Sequence, residues 1–246
     1  MSALLLLALT AAPSMTLEEV LQKNYAARGG LEALRAVKSV RMKQHNEGGW
    51  GYFETITTTA RGLKSRSDTT SQGMTESSAV DGFKGWQTNA FGGRKDAIAM
   101  SPDDLTAALD DADLDGPLVD WKQKGHVVEL LGTEDLDGSP TWKLKVTLKS
   151  GTVEFWFLDA ETFIELKVLT QRKIRGALVE YETEFGNYAK IDGVYYPFSF
   201  ESRRRRSQWT SHTTVDQVEV NVKVDDAFFA RPGVPTPTVR SPAVSR

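Results

Sequence analysis

TWKLKVTLKSGTVEFWFL, residues 141–158, decides how this chain is read. Trp142, Leu144, Val146 and Leu148 alternate with Lys143, Lys145, Thr147 and Lys149. A period of two is a strand with one apolar and one solvated face. Ser150-Gly151 turns the chain, and TVEFWFL follows with Val153, Phe155 and Phe157 opposed to Trp156 and Leu158. Both faces of that second strand are apolar, so one packs a core while the other meets a helix or lines a cavity.

The pattern continues downstream. Phe163–Lys173, Leu178–Lys190, Tyr195–Ser202 and Gln208–Val224 read as strands, with a turn at Asp192-Gly193 and with Val218, Val220, Val222 and Val224 alternating with Gln217, Glu219, Asn221 and Lys223. Upstream, Val40–Asn46, Trp50–Ala60 and Leu63–Ser71 are strand candidates, and Ala79–Gly93 (AVDGFKGWQTNAFGG) adds two short strands around Asp81-Gly82. Thr16-Leu17-Glu18-Glu19 is a capping box for a helix with Leu17, Val20, Leu21, Asn24 and Tyr25 on one face, stopped by Gly29-Gly30. Leu31–Val37 is a second short helix. Ser101 caps a third, with Pro102 at its first position and Asp103 and Asp104 in its first turn, running to about Asp110.

The expected fold is therefore mostly β (α+β): an antiparallel sheet of about eleven strands in one domain, residues 15–230. Sheets of that size curl or split, and the helices are available to plug the curl. Residues 231–246 carry four prolines and few apolar side chains and are expected to be a disordered tail.

Composition narrows the function. A net charge of −3 argues against a nucleic-acid partner. The chain has no cysteine, which excludes disulfides, thiolate catalysis, Cys-based zinc sites and lipid attachment at an N-terminal Cys. Ala3–Ala12 is too short to span a bilayer and suits the apolar region of a signal peptide, so residues 1–14 are read as an export segment, without the usual basic start.

No motif demands chemistry. Asp111, Asp113 and Asp115 before Gly116 match the first half of a calcium loop, but Lys122 stands where the closing glutamate belongs. The plainer reading is an acidic helix end entering a solvated loop. His45, His126 and His212 lack metal-site spacing, and no GxSxG, P-loop or GxGxxG occurs. No enzyme activity, metal or cofactor is expected. Arg203–Arg206 is the one local basic cluster; it reads as a charged hairpin tip, with contact to an anionic headgroup or partner as the functional alternative.

Three segments, in order, resemble the bacterial outer-membrane lipoprotein carrier superfamily (LolA, LolB and lipoprotein-sorting relatives). Asp81–Phe91 is similar to the family's DG-x-x-x-W-x-x-N-P-F segment, with Ala90 in place of proline. Ala60–Leu63 resembles the K-R-P-x segment, with Gly62 in place of proline. Asp226–Val234 resembles the closing F-x-F-x-P-P-x-G-V segment. The opening helices and strand run follow the family order. The resemblance implies an incomplete barrel whose N-terminal and internal helices form a plug and lid over a hydrophobic cavity. It implies a soluble, monomeric periplasmic carrier that takes lipoprotein acyl chains or other lipids from an inner-membrane donor to an outer-membrane acceptor, touching membranes only transiently. The alternative on the same fold is a lipid- or lipoprotein-sensing interaction module without transport. Arg61 matches a family arginine that holds the lid, whereas Ser65 replaces an aromatic of that arrangement. Alternation gives Trp86, Phe91, Phe155, Phe157 and Leu166 as the expected cavity wall.

Overall fold

The computed structural model describes residues 15–48, 51–174 and 176–233. The expected export segment, residues 1–14, and the tail from residue 234 onward lie outside them. The chain opens with α1 (Leu17–Ala27) and α2 (Leu31–Ala36), then runs through β1 (Ser39–Gly48), β2 (Gly51–Ala60), β3 (Lys64–Ser71), β4 (Met74–Asp81), β5 (Gly85–Asn89) and β6 (Arg94–Ala99). Helices α3 (Pro102–Asp111) and α4 (Trp121–Lys124) follow. The second half holds β7 (Val127–Leu136), β8 (Ser139–Thr147), β9 (Val153–Asp159), β10 (Glu165–Ile174), β11 (Ala177–Gly186), β12 (Ala189–Ile191), β13 (Val194–Tyr196), β14 (Ser199–Arg204) and β15 (Thr210–Val220).

Thirteen strands form one antiparallel sheet in the order β6-β5-β4-β3-β2-β1-β15-β14-β11-β10-β9-β8-β7, and β12 and β13 make a separate hairpin. The sheet is two strands wider than expected. The additions are its two edges, β6 and β7. The expected strands Leu178–Lys190 and Tyr195–Ser202 each give up one end to the β12–β13 hairpin. The sheet does not close into a barrel, but it curls: α3 packs against both β4 and β10, which lie far apart in the strand order.

Residues directly opposite in an antiparallel pair share a face. Val40 and Met42 of β1 stand opposite Val220 and Val218 of β15. Together with Leu144 and Val146 of β8 and Leu158 of β9 they form one cluster with Val20, Leu21 and Tyr25 of α1 and Leu34 of α2. This defines the inner face of the curl. The helical plug forms as the sequence indicates: Thr16 and Glu19 make a reciprocal capping box, and Val20, Leu21, Asn24 and Tyr25 are buried. The plug is also tied by polar contacts. Asn24 Nδ2 donates to Phe163 O at 2.9 Å and to Glu165 Oε1 at 3.1 Å, and Tyr25 Oη donates to Leu118 O at 2.6 Å. Gly29 permits the hairpin to dock, because a Cβ there would stand 2.1 Å from Gly193 O.

Beyond β15 the chain crosses the outer face of β1–β6 as a strap. Asn221 N donates to Ser39 O, Lys64 pairs with Asp226, and the Arg66 guanidinium stacks over the Phe228 ring at 5.0 Å. Trp86 Nε1 donates to Phe229 O at 2.9 Å, and Arg231 reaches Ala97 O. Ordered contacts thus extend through Arg231.

Leu144 is fully buried at the centre of the inner face. Leu144→Ala is expected to lower unfolding stability by about 2–5 kcal/mol, whereas Phe83→Ala at an exposed turn changes it by less than about 0.5 kcal/mol. Urea denaturation of the two variants checks the difference.

Candidate functional site

The plug covers only part of the inner face. The rest is bridged by α3, whose Ser101 cap and Pro102 start match the sequence reading. Its contact with the sheet is thin: no residue of α3 is buried. Leu105 lies against Gly85 of β5, and Leu109 faces Leu148 and Glu154 across a recess of about 560 Å³. That volume falls in the ~300–1,000 Å³ range of small-molecule pockets. Leu63 from the β2–β3 turn and Pro117 help close it. Pro117 also borders a smaller aromatic recess of about 130 Å³ containing Trp156, Phe185, Tyr188 and Tyr196, with Arg28 and Glu165 at its polar end. The two recesses meet at a hydrogen-bonded pair, Trp156 Nε1 to Glu154 Oε2 at 2.8 Å. Trp156 stacks on Phe185 at 5.9 Å, and Phe185 packs edge-on against Phe200 at 5.9 Å, so an aromatic row crosses the inner face from β9 to β14.

Glu154 is buried beneath the C-terminal end of α3. Burial pushes its carboxyl up to about 7; the Trp156 N–H and Arg172 pull it down, while Asp111 and Asp110 push it up further. Burial also raises Asp110, against hydrogen bonds from Thr152 and Ser150, and raises Asp113, against Lys124. Burial lowers His126, which accepts from Lys149 N.

The loop between α3 and α4 is anchored by the buried Leu118 and Val119 and by basic side chains. Arg61 grips Asp115 through both nitrogens, at 2.7 and 3.0 Å, and its Nη2 also donates to Leu34 O and Arg35 O at the end of α2. Arg28 donates to Asp115 O, Arg35 pairs with Asp120, and Lys124 pairs with Asp113. One arginine thereby joins the β2–β3 turn, α2 and the loop. The calcium-like spacing is accounted for by these pairs. Asp111 meets Arg172 at 3.0 Å, Asp113 meets Lys124 at 2.6 Å and Asp115 meets Arg61. The acidic run does begin at a helix end, Asp111 of α3, but the loop that follows is tied down by ion pairs rather than solvated. No metal-binding group of three side chains occurs among the described residues. His45 pairs with Asp216, and His212 with Glu201, far from His126.

The expected wall residues are not brought together. Lys143 and Lys145 stand opposite Phe157 and Phe155, on the face away from Leu144. Both rings therefore lie on the outer face, with Lys143 Nζ over them at 5.1 and 5.6 Å. The inner residues of that strand are Trp156 and Leu158. The choice between the faces of TVEFWFL is not decidable from the segment alone, because both are apolar. Trp86 is also on the outer face, under the strap, and lines a separate recess of about 590 Å³ with Phe83, Met100 and Phe229. Phe91 sits at the β5–β6 turn against Phe53, at 5.8 Å. Leu166 is partly buried in a bulge of β10. Sequence reasoning missed Leu109, Leu148, Glu154 and Phe185. Leu148 carried a signal: it continues the alternation of Leu144 and Val146.

The sequence matches no family model and no curated protein. Solved structures do match. A LolA superfamily protein from Nitrosomonas europaea aligns over 88% of this chain and 98% of its own, with a TM-score of 0.61 and 14% identity. The chain has the LolA fold. An outer membrane lipoprotein-sorting protein domain from Vibrio parahaemolyticus covers 86% of this chain and 94% of its own, with a TM-score of 0.55 and 13% identity. A DUF1329 family protein from Desulfovibrio piger covers 87% and 96%, with a TM-score of 0.56 and 15% identity. At such identities the likeness is one of fold. Within this LolA-type fold, Arg61 ties the plug to the α3–α4 loop.

Two outcomes follow from this geometry. Arg61→Leu leaves Asp115 buried without its partner, and the cost is expected to be about 1–3 kcal/mol, below that of a fully buried pair because the Arg61 side chain is 38% exposed. Hydrogen exchange should quicken at residues 113–120 and at the end of α2, and Arg61→Lys should not restore protection, since an ammonium cannot bind bidentately. Glu154 gives a pH signature. Its folded pKa lies above the ordinary glutamate value of 4.5, so the folded protein binds more protons and stability falls as pH rises from 4.5 to about 7. Melting temperature against pH should show that decline, and Glu154→Gln should flatten it.

Proposed function

We propose that this chain is a periplasmic carrier that holds the acyl chains of a lipoprotein or another lipid in the inner recess beneath α3. Residues 15–230 form its one working domain, and residues 1–14 direct export. Cargo comes from an inner-membrane donor and leaves for an outer-membrane acceptor. The site works by burial and release, with no bond made or broken. The observation that carries this reading is the apolar recess under a helix that buries none of its own residues. Among the described residues no helix is long and apolar enough to cross a membrane.

Magnitudes support it. Burying each CH₂ contributes about 0.8 kcal/mol, so a sixteen-carbon chain gains on the order of 12 kcal/mol gross. A carrier must return that energy at delivery. The work of displacing α3 is subtracted from the gain on loading and returned when the helix recloses on release; a thinly packed α3 keeps that work small, whereas a core packed to crystal density would admit no chain at all.

Native mass spectrometry of protein purified from its own periplasm, followed by organic extraction, tests the reading. A bound diacyl or triacyl species is expected. Leu109→Asp, placing a charge in the recess, should lower retained lipid at least about tenfold, the loss of one leucine's burial. Phe155→Asp on the outer face should leave it unchanged. A wild-type protein that carries no lipid and takes up none when offered would sink the carrier reading and favour an interaction module.

A further inference from the structure

The arginine run falls where the strand register gathers several hairpin tips on one rim. β14 ends at Arg204, and the chain turns through Arg205–Trp209 into β15. Arg204 stands opposite Tyr181 of β11, and Arg205 N donates to Glu180 O, so this tip adjoins the β10–β11 tip, where Lys173 stands opposite Leu178. On its other side Ser211 stands opposite Gly48, next to the β1–β2 tip. The rim carries large side chains that a monomer has no reason to expose: Trp209 and Leu178 are each 62% exposed, and Tyr52 is 51% exposed. Single exposed apolar residues need no explanation, but aromatic and aliphatic tips beside uncompensated cations do.

The charge balance is uneven. Arg203 is neutralised by Glu182 and Arg205 by Glu180, while Glu201 faces His212. Among the described residues, Arg204, Arg206 and Lys173 have no acidic partner. The rim therefore presents Arg204 and Arg206 on the same tip as an exposed indole, and Lys173 on the neighbouring tip, on a protein whose net charge is −3. Guanidinium groups pair with phosphate diesters, and indole prefers the headgroup level of a bilayer. Anionic lipid attracts clustered Lys and Arg, and an apolar side chain inserted beside them adds a second, salt-independent contribution.

We propose that the rim formed by the β14–β15 and β10–β11 tips docks this protein on the surface of an anionic phospholipid membrane, with Arg204, Arg206 and Lys173 on the phosphates and Trp209 and Leu178 in the headgroup layer. This surface lies apart from the inner recess and does not depend on what the recess holds.

Vesicle co-sedimentation of the full chain tests it. Phosphatidylcholine vesicles containing about one-third phosphatidylglycerol should bind the protein, and pure phosphatidylcholine vesicles should not. Binding should weaken with added salt, and Arg204→Glu with Arg206→Glu should reduce it at least about tenfold. Trp209→Ala should weaken binding with the salt dependence kept. All three positions are exposed, so circular dichroism and melting temperature should match the wild type. Lipid retained after purification, measured on the same variants, should not change, which separates failure of docking from failure of the carrier reading. No binding to the anionic vesicles, equal binding to both vesicle types, or unaltered binding by the variants would overturn the proposal. So would an oligonucleotide binding as tightly as the vesicles.

Discussion

A thirteen-stranded antiparallel sheet has far more inner surface than four short helices can cover, and the rest of this structure follows from that shortage. Buried polar backbone is not the difficulty, since ladder hydrogen bonds satisfy it on either face. Side chains are: an apolar inner face must meet something apolar or shed water by curling on itself. Here α1 and α2 fill the stretch over β1, β15, β8 and β9, and the curl brings β4 and β10 close enough for one helix, α3, to span them. The uncovered remainder is the recess. A cavity in this fold is therefore a matter of coverage, since a longer α3 with a full apolar face would fill it.

The helical cover is held by packing, with Leu118 and Val119 of the α3–α4 loop buried in the core beside α1 and α2, and by a set of ion pairs. Between Asp113 and Asp120 three acidic side chains meet Lys124, Arg61 and Arg35, and Arg28 adds a bond to a carbonyl. Burying such pairs costs desolvation, and apolar contact of the same volume often stabilises as well or better. Ion pairs differ from apolar contact in being discrete: they hold one arrangement and, once broken, leave charges that water readily takes up. Arg61 concentrates this behaviour, because its two carbonyl acceptors cap α2 while its carboxylate partner sits in the α3–α4 loop. Glu154 beneath the C-terminal end of α3 and Asp110 in its last turn are both raised by burial. The attachment of that helix is thus sensitive to proton and charge balance, which an oil-like contact would not be.

How much of this was legible in the sequence depends on the element. Helix starts were local chemistry, and Thr16–Glu19 and Ser101–Asp104 read directly. Central strands alternate because one side is buried, so β8 and β15 were plain. The two edges were missed for a physical reason. β6 (RKDAIA) has few buried neighbours to impose a period, and β7 is broken by a bulge between Leu130 and Gly132. The wall failed differently. Phe155 and Phe157 lie on the outside with the Lys143 ammonium over both rings, an arrangement that looks apolar in sequence and is half polar in space. Arg61 came from resemblance alone; nothing in its neighbours in sequence points to Asp115, 54 residues away.

The inner face of β2 and β3 carries this furthest. Thr57 and Thr59 stand opposite Met42 and Val40, so they lie on the inner face, where their hydroxyls are polar among apolar neighbours. Each is nevertheless paired across the strands: Thr59 with Ser65, Thr57 with Ser67 and Thr55 with Thr69, at 3.1–3.3 Å. A hydroxyl bonded to another hydroxyl has less need of water, and threonine then offers its methyl group to whatever lies above. In each pair one hydroxyl donates to the other, which halves the number of free O–H donors on this face. The pairing comes at little cost in sheet stability, since cross-strand Thr and Ser pairs themselves contribute about 0.2–1 kcal/mol each.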